Sequence, residues 1–261
     1  MSYIVRPKKS LGQHFLIDLN IAQAIADTLD NYKNTPILEV GPGMGVLTQY
    51  LLSKGHDLTV VELDHESIEY LQENFPELKG HILEEDFLKL DLSKLFSGNF
   101  CVIGNYPYNI SSQIFFKVLE YKDHIPCCSG MIQKEVAERM AAPPGSKTYG
   151  ILSVFLQAFY HIEYLFTVGE KVFDPPPKVK SAVIKMTRNQ VRQLGCNEPL
   201  FKRIVKTAFN QRRKTMRNSL KSMVGQDCKI LAEPIFNERP ERLSVKQFID
   251  LTNLLESYII K

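Results

Sequence analysis

The fold follows from the stretch ILEVGPGMG, residues 37–45. Ile37–Val40 is a short, mostly apolar run that is typical of a buried strand, and it passes directly into a turn with three glycines. A helical pattern, residues 46–54, follows the turn. In open α/β sheets, ligands bind at such a turn at the carboxyl end of a strand. The sequence therefore predicts a strand, a ligand-binding turn and a helix, with Gly41 and Gly43 as cofactor-binding candidates.

Strands and helices alternate beyond this unit, and such alternation predicts parallel β-α-β units. The further predicted strands are Leu58–Val61, Gly80–Leu83, Phe100–Ile103 and Ser129–Ile132, and the further predicted helices are Asp64–Asn74, Ser111–Glu120 and Lys134–Ala141. Capping preferences place helix N-caps at Asp18, at Asp64 and at Ser111 or Ser112, and a C-terminal glycine at Gly55.

After Tyr149 the pattern changes to one apolar helix and two extended runs, His161–Val168 and Ser181–Thr187. These runs predict an antiparallel hairpin that completes a mixed sheet. The composition then shifts near residues 187–197, where β-rich sequence gives way to a polar link and basic helices. We therefore predict a mixed, mostly parallel α/β domain over residues 1–189 and a small all-helical domain over residues 190–261.

Charge is distributed unevenly between these two parts of the 261-residue chain. The whole chain carries a formal net charge of +3, but residues 1–189 carry −4 and residues 190–261 carry +7. A basic module beside an acidic one predicts that the C-terminal part binds a polyanion. The composition, with 44% hydrophobic and 23% charged residues, is that of a folded globular protein and excludes a disordered or collagen-like chain.

The sequence predicts no membrane span, export signal or metal site. The longest apolar stretch, residues 150–166, is interrupted by Gln157, His161 and Glu163. No apolar segment follows the basic N-terminus, so we expect a cytoplasmic protein. The five cysteines include no C-x-x-C pair, and no Cys/His cluster has zinc spacing. Without a heptad pattern or an exposed apolar stripe, we expect a monomer.

A carboxylate follows the glycine turn at the distance expected for a nucleoside-binding site. Glu62 ends the second strand 19 residues after the second glycine of the turn, where an acid accepts from ribose hydroxyls. The turn contains Pro42 and has no Lys or Arg nearby, which disfavours a pyrophosphate. We therefore predict S-adenosylmethionine, which has a ribose and an adenine but no phosphate. Asp86 is predicted to accept from the adenine amino group, with Phe87 or Leu63 covering the ring.

The fourth predicted strand ends in the tetrapeptide Asn105-Tyr106-Pro107-Tyr108, at the same edge of the sheet. The exocyclic amine of adenine is a poor nucleophile because its lone pair is delocalised into the ring. An enzyme that methylates it must hold both N–H groups with acceptors, and the Asn105 side-chain oxygen and the Pro107 carbonyl can supply them. Tyr108 can stack on a flipped base. The tetrapeptide therefore predicts N6 methylation of adenine; the alternative is a simple turn before a capped helix.

Six motifs together resemble the bacterial KsgA family, the small-subunit ribosomal RNA adenine N6-dimethyltransferases. They are KKSLGQHFL (8–16), EVGPGMG (39–45), Glu62, Glu85-Asp86, NYPYNIS (105–111) and FDPPPKVKS (173–181). The match covers residues 8 to about 188 and continues through Phe209–Leu220. The resemblance implies that the first domain is a Rossmann-like S-adenosylmethionine-dependent methyltransferase domain.

The resemblance also implies roles for individual residues. Cofactor contacts carry over to His14, Leu16, Gly41, Glu62, Asp86 and Asn105. The methyl-acceptor site carries over to Asn105, Pro107 and Tyr108, with Phe173 as a second aromatic wall for the target base. Two residues depart from the commonest family pattern. His14 replaces a frequent Asn but still offers a ring nitrogen to the cofactor, and Tyr106 replaces a frequent Leu in the apolar wall of the pocket.

The segment Lys202–Lys221 has eight Lys or Arg residues and no acid. If it is helical, its basic residues form one face, while Val205, Phe209, Met216 and Leu220 turn to the core. Such a face would follow RNA phosphates, although charge runs also occur on purely solvated surfaces. The predicted RNA-binding residues are Lys8, Lys9, Lys178, Arg203, Lys206, Arg213, Arg217 and Lys221.

By the resemblance, the first hypothesis is dimethylation of two adjacent adenosines in a hairpin loop near the 3′ end of 16S rRNA, with small-subunit rRNA and the pre-small ribosomal subunit as partners. A large-subunit rRNA adenine methylase of the antibiotic-resistance type is the nearest alternative, and residues 8–14 and 175–181 favour the first. A DNA adenine methylase usually has a separate base-reading domain, which this sequence lacks. A mainly non-catalytic ribosome assembly factor is disfavoured by Glu62, Asp86 and Asn105.

Overall fold

A computed structural model describes residues 5–8, 11–225 and 228–259, which divide into two compact units. The first unit takes the described residues up to Ala137 together with His161–Arg188, and the second takes Glu138–Tyr160 together with those from Asn189 onward. The segment 138–160, predicted for the first domain, thus belongs to the helical unit. The apolar helix of this segment packs within the helical unit, where the ring centroids of Phe155 and Phe201 lie 6.0 Å apart.

Nine strands and ten α-helices lie within the described residues. The strands are β1 (Phe15–Leu16), β2 (Ile37–Val40), β3 (Leu58–Glu62), β4 (Ile82–Glu84), β5 (Cys101–Asn105), β6 (Cys127–Gln133), β7 (Tyr160–Val168), β8 (Phe173–Asp174) and β9 (Ser181–Arg188). The helices are α1 (Leu19–Asp27), α2 (Thr48–Ser53), α3 (His65–Asn74), α4 (Leu92–Leu95), α5 (Ser111–Glu120), α6 (Lys134–Ala141), α7 (Ile151–Gln157), α8 (Glu198–Asn210), α9 (Met216–Val224) and α10 (Val245–Leu255). Across the described ranges, every helix is too short or too polar to cross a bilayer.

The first unit is built on a seven-stranded sheet with the strand order β4-β3-β2-β5-β6-β9-β7. The strands from β4 to β6 pair in parallel, and β9 pairs with β6 in antiparallel orientation. The chain adds β3 and β4 on one side of β2, then β5 and β6 on the other side. The carboxyl ends of β2, β3 and β5 therefore meet at a switch point, which is where such sheets bind ligands.

The core of this unit surrounds β2, whose four residues are all buried. Ile25 of α1, Leu51 of α2 and Leu71 of α3 are completely buried in the same cluster as Ile37. A parallel strand that is covered on both faces needs an apolar sequence, which is why Ile37–Val40 is recognisable as a strand from its residues alone.

Two of the predicted helix ends are confirmed. The Asp18 carboxylate caps α1 by accepting from the main-chain N–H groups of Asn20 and Ile21, at 2.9 and 3.2 Å. Gly55 follows α2 with a φ of +73°, as a C-terminal glycine does. Asp64 occupies the N-cap position of α3 without capping the backbone, because its carboxylate accepts from three side chains, those of Lys8, Gln13 and Ser67.

The predicted N-cap of α5 at Ser111 or Ser112 is wrong, because Ile110 occupies that position. The turn that leaves Pro107 continues into the helix, since the Pro107 carbonyl accepts from the Ile110 N–H at 3.3 Å. Ser111 is therefore already helical, and its hydroxyl donates to the Tyr108 carbonyl instead.

The basic segment Lys202–Lys221 does not form one helix. Helix α8 ends at Asn210 and α9 begins at Met216, with a turn between them, so the predicted continuous helical face is interrupted. Val205, Met216 and Leu220 are buried as predicted. The apolar positions of the segment could be predicted from their spacing because each helix keeps its own period of 3.6 residues.

Candidate active site

A cavity opens at the edge of the sheet where β2, β3 and β5 end. Its wall is formed mainly by residues 11–16, 39–47, 61–63, 85–88 and 105–110. Nine of the predicted cofactor and acceptor residues line it, namely His14, Leu16, Gly41, Gly43, Glu62, Asp86, Asn105, Pro107 and Tyr108. Residues that are far apart in the sequence are thus brought together as the strand pattern predicted.

The glycine turn can form only with glycine at its critical positions. Gly41 and Gly43 have φ values of +69° and +56°, in the left-handed region. A side chain at Gly43 would also place its Cβ 2.9 Å from a ring carbon of Phe15. The missing side chain therefore allows the N-terminal segment to pack directly on the turn.

Glu62 connects the glycine turn to the end of β3. Its Oε2 accepts from the Gly43 N–H at 3.1 Å, and its Oε1 accepts from the N–H groups of Leu63 and Asp64 at 2.8 and 2.9 Å. Burial raises the pKa of Glu62, and the three backbone N–H groups oppose that rise. Since a carboxylate has about four acceptor positions, one remains on Oε2 for a ligand.

Asp86 lies in the segment that follows β4, and part of its carboxylate is already occupied. Oδ1 accepts from the Leu88 N–H at 3.0 Å, and Oδ2 lies 3.4 Å from the Lys89 Nζ. Both apolar residues predicted to cover an adenine line the cavity: Phe87 is buried, whereas Leu63 is 54% exposed. Leu63 is thus the one that remains accessible to a ligand.

Glu39 is a cavity residue that sequence reasoning missed. It lies in the middle of β2, is 1% exposed, and accepts from the Thr48 hydroxyl at 2.7 Å. Burial raises its pKa to about 8. An acid within the otherwise apolar run Ile37–Val40 was the feature that could have revealed it.

The cavity has a one-sided charge. Its titratable lining includes Glu39, Glu62, Glu85 and Asp86, of which Glu39 is largely protonated at pH 7, and no Lys or Arg is among the described residues that line it. Within the described part of the chain, no group of three or more His, Cys, Asp or Glu residues is arranged to hold a metal ion. The site is therefore suited to a cationic ligand and poorly suited to a pyrophosphate.

Asn105 is held in one orientation by the N-terminal segment. Its Nδ2 donates to the His14 main-chain carbonyl at 3.1 Å. No described residue donates to its Oδ1. The carbonyl of His14 thus determines which end of the amide is nitrogen, and the oxygen is left as a hydrogen-bond acceptor.

His14, Tyr108 and the segment from Pro175 to Ser181 converge beside Asn105. The His14 Nδ1 donates to the Pro175 carbonyl at 2.7 Å, which leaves Nε2 for a ligand. The His14 ring stacks on Tyr108 with 5.5 Å between centroids, and the Tyr108 hydroxyl is hydrogen-bonded to that of Ser181. Strands β1 and β8 bring these motifs together by pairing Phe15–Leu16 with Phe173–Asp174, a contact that the sequence analysis did not predict.

Phe173 and Tyr106 are both buried, but only Tyr106 lines the cavity. Phe173 is 3% exposed within the hydrophobic core and is not part of the cavity wall, so its role as a wall for the target base stays a prediction. Tyr106 is 1% exposed, and its hydroxyl donates to the Ser129 carbonyl at 2.7 Å. Its ring fits against Gly104 and Gly130, where a Cβ would approach it within 3.2 and 2.7 Å. Tyr106 thus belongs to the cavity wall as predicted, while its hydroxyl and ring edge pack into the core.

The predicted RNA-binding residues differ in whether their charge is already neutralised by an ion pair. Lys8 forms ion pairs with Asp64 and, at 3.1 Å, with Glu66, and Lys9 lies outside the described residues. Lys178 is exposed in the first unit. The remaining predicted residues are exposed in the helical unit and form no ion pair with a described residue: Arg203 and Lys206 on α8, Arg213 in the following turn, and Arg217 and Lys221 on α9.

The sequence matches a protein-family model over residues 4–257, and that model describes ribosomal RNA adenine dimethylases. The chain belongs to this family. It is 72% identical over 258 residues to the ribosomal RNA small subunit methyltransferase A of Parabacteroides distasonis, with 99% of this chain and 97% of that protein covered. The protein of the same name from Flavobacterium johnsoniae is 58% identical, with 97% of both chains covered. The resemblance inferred from the six motifs is confirmed.

Solved structures support the fold of this dimethylase family member. A dimethyladenosine transferase from Plasmodium falciparum superposes with a TM-score of 0.78 at 23% identity, covering 94% of this chain and 98% of that one. The 23S rRNA methyltransferase ErmE superposes with a TM-score of 0.68 at 25% identity, covering 90% and 99%. The predicted Rossmann-like fold of S-adenosylmethionine-dependent methyltransferases, with a helical C-terminal part, is confirmed.

The raised pKa of Glu39 predicts a pH-dependent stability. Between its ordinary pKa near 4.5 and about 8, the folded protein keeps a proton that the unfolded chain has lost, so stability falls as the pH rises. Glu39→Gln cannot titrate and keeps an acceptor for Thr48. In urea titrations, we expect its free energy of unfolding to fall less than that of the wild type between pH 5 and 8, by about 1–3 kcal/mol. The control is Glu77→Gln, which changes an exposed acid. An equal fall in the free energy of unfolding for Glu39→Gln and wild type, or the same reduced fall for Glu77→Gln, would contradict this assignment.

Proposed function

We propose that this chain uses S-adenosylmethionine to dimethylate the N6 amino groups of two adjacent adenosines in a hairpin loop near the 3′ end of small-subunit (16S) rRNA. The observation that carries the proposal is the Asn105 amide, whose nitrogen is bound to the His14 carbonyl and whose oxygen is left as an acceptor in the cavity. Relatives that are 58% to 72% identical are named small subunit methyltransferases, which supports the choice of rRNA. We further propose a cytoplasmic monomer that acts on the pre-small ribosomal subunit during its biogenesis.

The cavity fits S-adenosylmethionine in charge and in hydrogen-bonding groups. The sulfonium and the amino group of this cofactor are cationic, and the described titratable residues of the wall include acids but neither Lys nor Arg. The free acceptor position of Glu62 suits a ribose hydroxyl, and Asp86 suits the adenine amino group. His14 Nε2 and the glycine turn complete the set of residues that would hold the cofactor.

The chain's own groups would act mainly by orientation. When bound, the cofactor supplies an electrophilic methyl group. Asn105 Oδ1 and the Pro107 carbonyl would accept from the two N–H groups of adenine N6, which directs the nitrogen lone pair toward the methyl carbon. Tyr108, supported by His14, would stack on the flipped base. The methylated nitrogen is strongly acidic and loses its proton to water, so no side chain is needed as a base.

Substrate binding would rest on the exposed basic residues of the helical unit. Arg203, Lys206, Arg213 and Lys221 are exposed and form no ion pair with any residue in the described ranges, so their charge is available to phosphates. Lys8 is a weaker candidate because Asp64 and Glu66 already neutralise it. Such contacts would position the RNA, and selection of the adenosines would come from RNA shape and from which bases can be extruded.

Two alternatives remain to be tested against this proposal. A large-subunit rRNA methylase is disfavoured, because the likeness to the 23S rRNA methyltransferase ErmE is 25% in sequence whereas relatives named for the small subunit reach 72%. A mainly non-catalytic assembly factor would have no use for an Asn105 oxygen that is oriented into the cavity. Methylation of isolated small subunits distinguishes both from the proposed function.

Replacing Glu62 by Ala should weaken the binding of S-adenosylmethionine about 5- to 100-fold, because a ribose hydroxyl and three backbone N–H groups lose their acceptor. Titration calorimetry measures the dissociation constant. Glu73→Ala, an exposed acid on α3, should bind like the wild type. If Glu62→Ala bound the cofactor within twofold of the wild type, the assignment of Glu62 to the cofactor site would be wrong.

Replacing Asn105 by Ala should slow single-turnover methylation at saturating cofactor by about 10²- to 10³-fold, the usual effect of removing one preorganised transition-state hydrogen bond. The affinity for RNA should stay within twofold, because the proposed phosphate contacts lie in the helical unit. Rapid-quench measurement of methyl transfer tests the rate, and filter binding tests the affinity.

The control is Asn99→Ala, an exposed residue just before β5, which should keep the wild-type rate. Asn105→Asp keeps the acceptor oxygens but cannot donate to the His14 carbonyl, so we expect it to stay at least about tenfold below the wild type. If Asn105→Ala had a normal methylation rate but bound RNA poorly, the tetrapeptide Asn105–Tyr108 would be a turn that docks RNA and not a methyl-acceptor site.

Replacing Arg213 and Arg217 by Glu should weaken RNA binding and flatten its dependence on salt, because fewer counterions are released from the phosphates. Cofactor binding should not change. A Lys33→Glu/Lys79→Glu variant alters the net charge equally at exposed residues of the first unit, and it should keep most of the affinity. An unaltered slope of log K against log salt in the Arg213/Arg217 variant would mean that these residues are merely solvated.

A further inference from the structure

Lys117 is a buried lysine that makes no ion pair with a described residue. It lies on α5 and is 7% exposed. Its Nζ donates to the main-chain carbonyls of Leu88 and Leu90, at 3.0 and 2.5 Å. The same Nζ lies 5.7 Å from the ring centroids of Phe87 and Tyr121. Burying an amine costs free energy unless it is hydrogen-bonded, so its donors are committed to this one segment of backbone.

The segment that Lys117 holds is one wall of the cavity. Residues 85–88 line the cavity directly, and Asp86 is among them. The segment also has bonds of its own: the Asp86 carbonyl accepts from the N–H groups of Lys89 and Leu90 in a tight turn, and the Asp86 Oδ1 accepts from the Leu88 N–H. The two carbonyls bound by Lys117 belong to Leu88, within that turn, and to Leu90, at its end. Lys117 therefore adds a link between α5 and the turn that carries the Asp86 carboxylate.

Helix α5, which carries Lys117, directly follows another part of the cavity wall. Residues 105–110 line the cavity, and α5 begins at the next residue, Ser111. Lys117 lies in the second turn of that helix. One side chain thus connects the backbone beside Asp86 with the helix that follows Asn105–Tyr108.

We propose that Lys117 is a positioning residue for the cofactor. Its two hydrogen bonds to the backbone at Leu88 and Leu90 hold the Asp86 carboxylate where it can accept a hydrogen bond from the adenine amino group of S-adenosylmethionine. This inference rests on the proposed function, because it takes the cavity to be the cofactor site. Lys117 acts through the segment 86–90 and does not touch the cofactor itself. Its loss affects cofactor affinity more than the methyl-transfer rate.

The test compares Lys117→Met with the wild type and with Lys79→Met, which makes the same chemical change at an exposed site. For Lys117→Met we expect a dissociation constant for S-adenosylmethionine about tenfold higher, the loss expected when the hydrogen bond from the adenine to a displaced Asp86 is weakened. The KM for the cofactor should rise in parallel, while kcat and the dissociation constant for RNA stay within about twofold. Amide hydrogen exchange of residues 86–92 should become faster.

A folded Lys117→Met protein with wild-type cofactor affinity and unchanged exchange at residues 86–92 would overturn the proposal and leave Lys117 a purely structural residue. If Lys117→Met does not fold, Lys117→Arg decides: its guanidinium is larger and planar, so it cannot replace a single buried Nζ without shifting the bound backbone, and cofactor affinity should fall while RNA affinity should not. In the wild type, added S-adenosylmethionine should slow exchange at residues 86–92, and the absence of that protection also overturns the proposal. A wild-type protein that binds no S-adenosylmethionine would refute the proposed function instead.

Discussion

The structure depends on one topological constraint, the position of β2 between β3 and β5 in a parallel sheet. Because β2 is covered on both faces, it is apolar apart from Glu39, and because it lies at the switch point, the chain leaves it through a tight turn at the open edge. The glycine turn, Glu62 and Asn105 come together for this reason. The N-terminal segment can then close over them, since Gly43 leaves room for Phe15 and the His14 carbonyl binds Asn105.

Charge is divided between the two units in the way that the proposed chemistry requires. Among its described residues, the cavity wall of the first unit has several acids and neither Lys nor Arg, which suits a cationic cofactor. The helical unit exposes Arg and Lys residues that form no ion pairs with described residues, which suits a polyanion. A cofactor and a substrate of opposite charge can thus be bound without competing for the same groups.

Local pattern was sufficient for the strands of the main sheet and for the glycine turn, because each is specified by neighbouring residues, and it also placed Asn105–Tyr108 at the cavity. The N-cap of α5 was mispredicted because the turn from Pro107 admits Ile110, which capping preferences disfavour. The break between α8 and α9 was missed because it lies within the acid-free basic segment Lys202–Lys221, whose charge pattern continues across it. The pairing of β1 with β8 and the bond from His14 to Pro175 join residues about 160 positions apart, and no local pattern encodes such contacts.

The measurement that tests the account most directly is methylation of small ribosomal subunits that lack this modification. Purified protein and S-adenosylmethionine are added, and the rRNA is examined by nucleoside mass spectrometry and primer extension. We expect N6,N6-dimethyladenosine at two adjacent positions of a hairpin loop near the 3′ end of the small-subunit rRNA. Methylation confined to large-subunit rRNA, or none at all although cofactor and RNA both bind, would contradict the account.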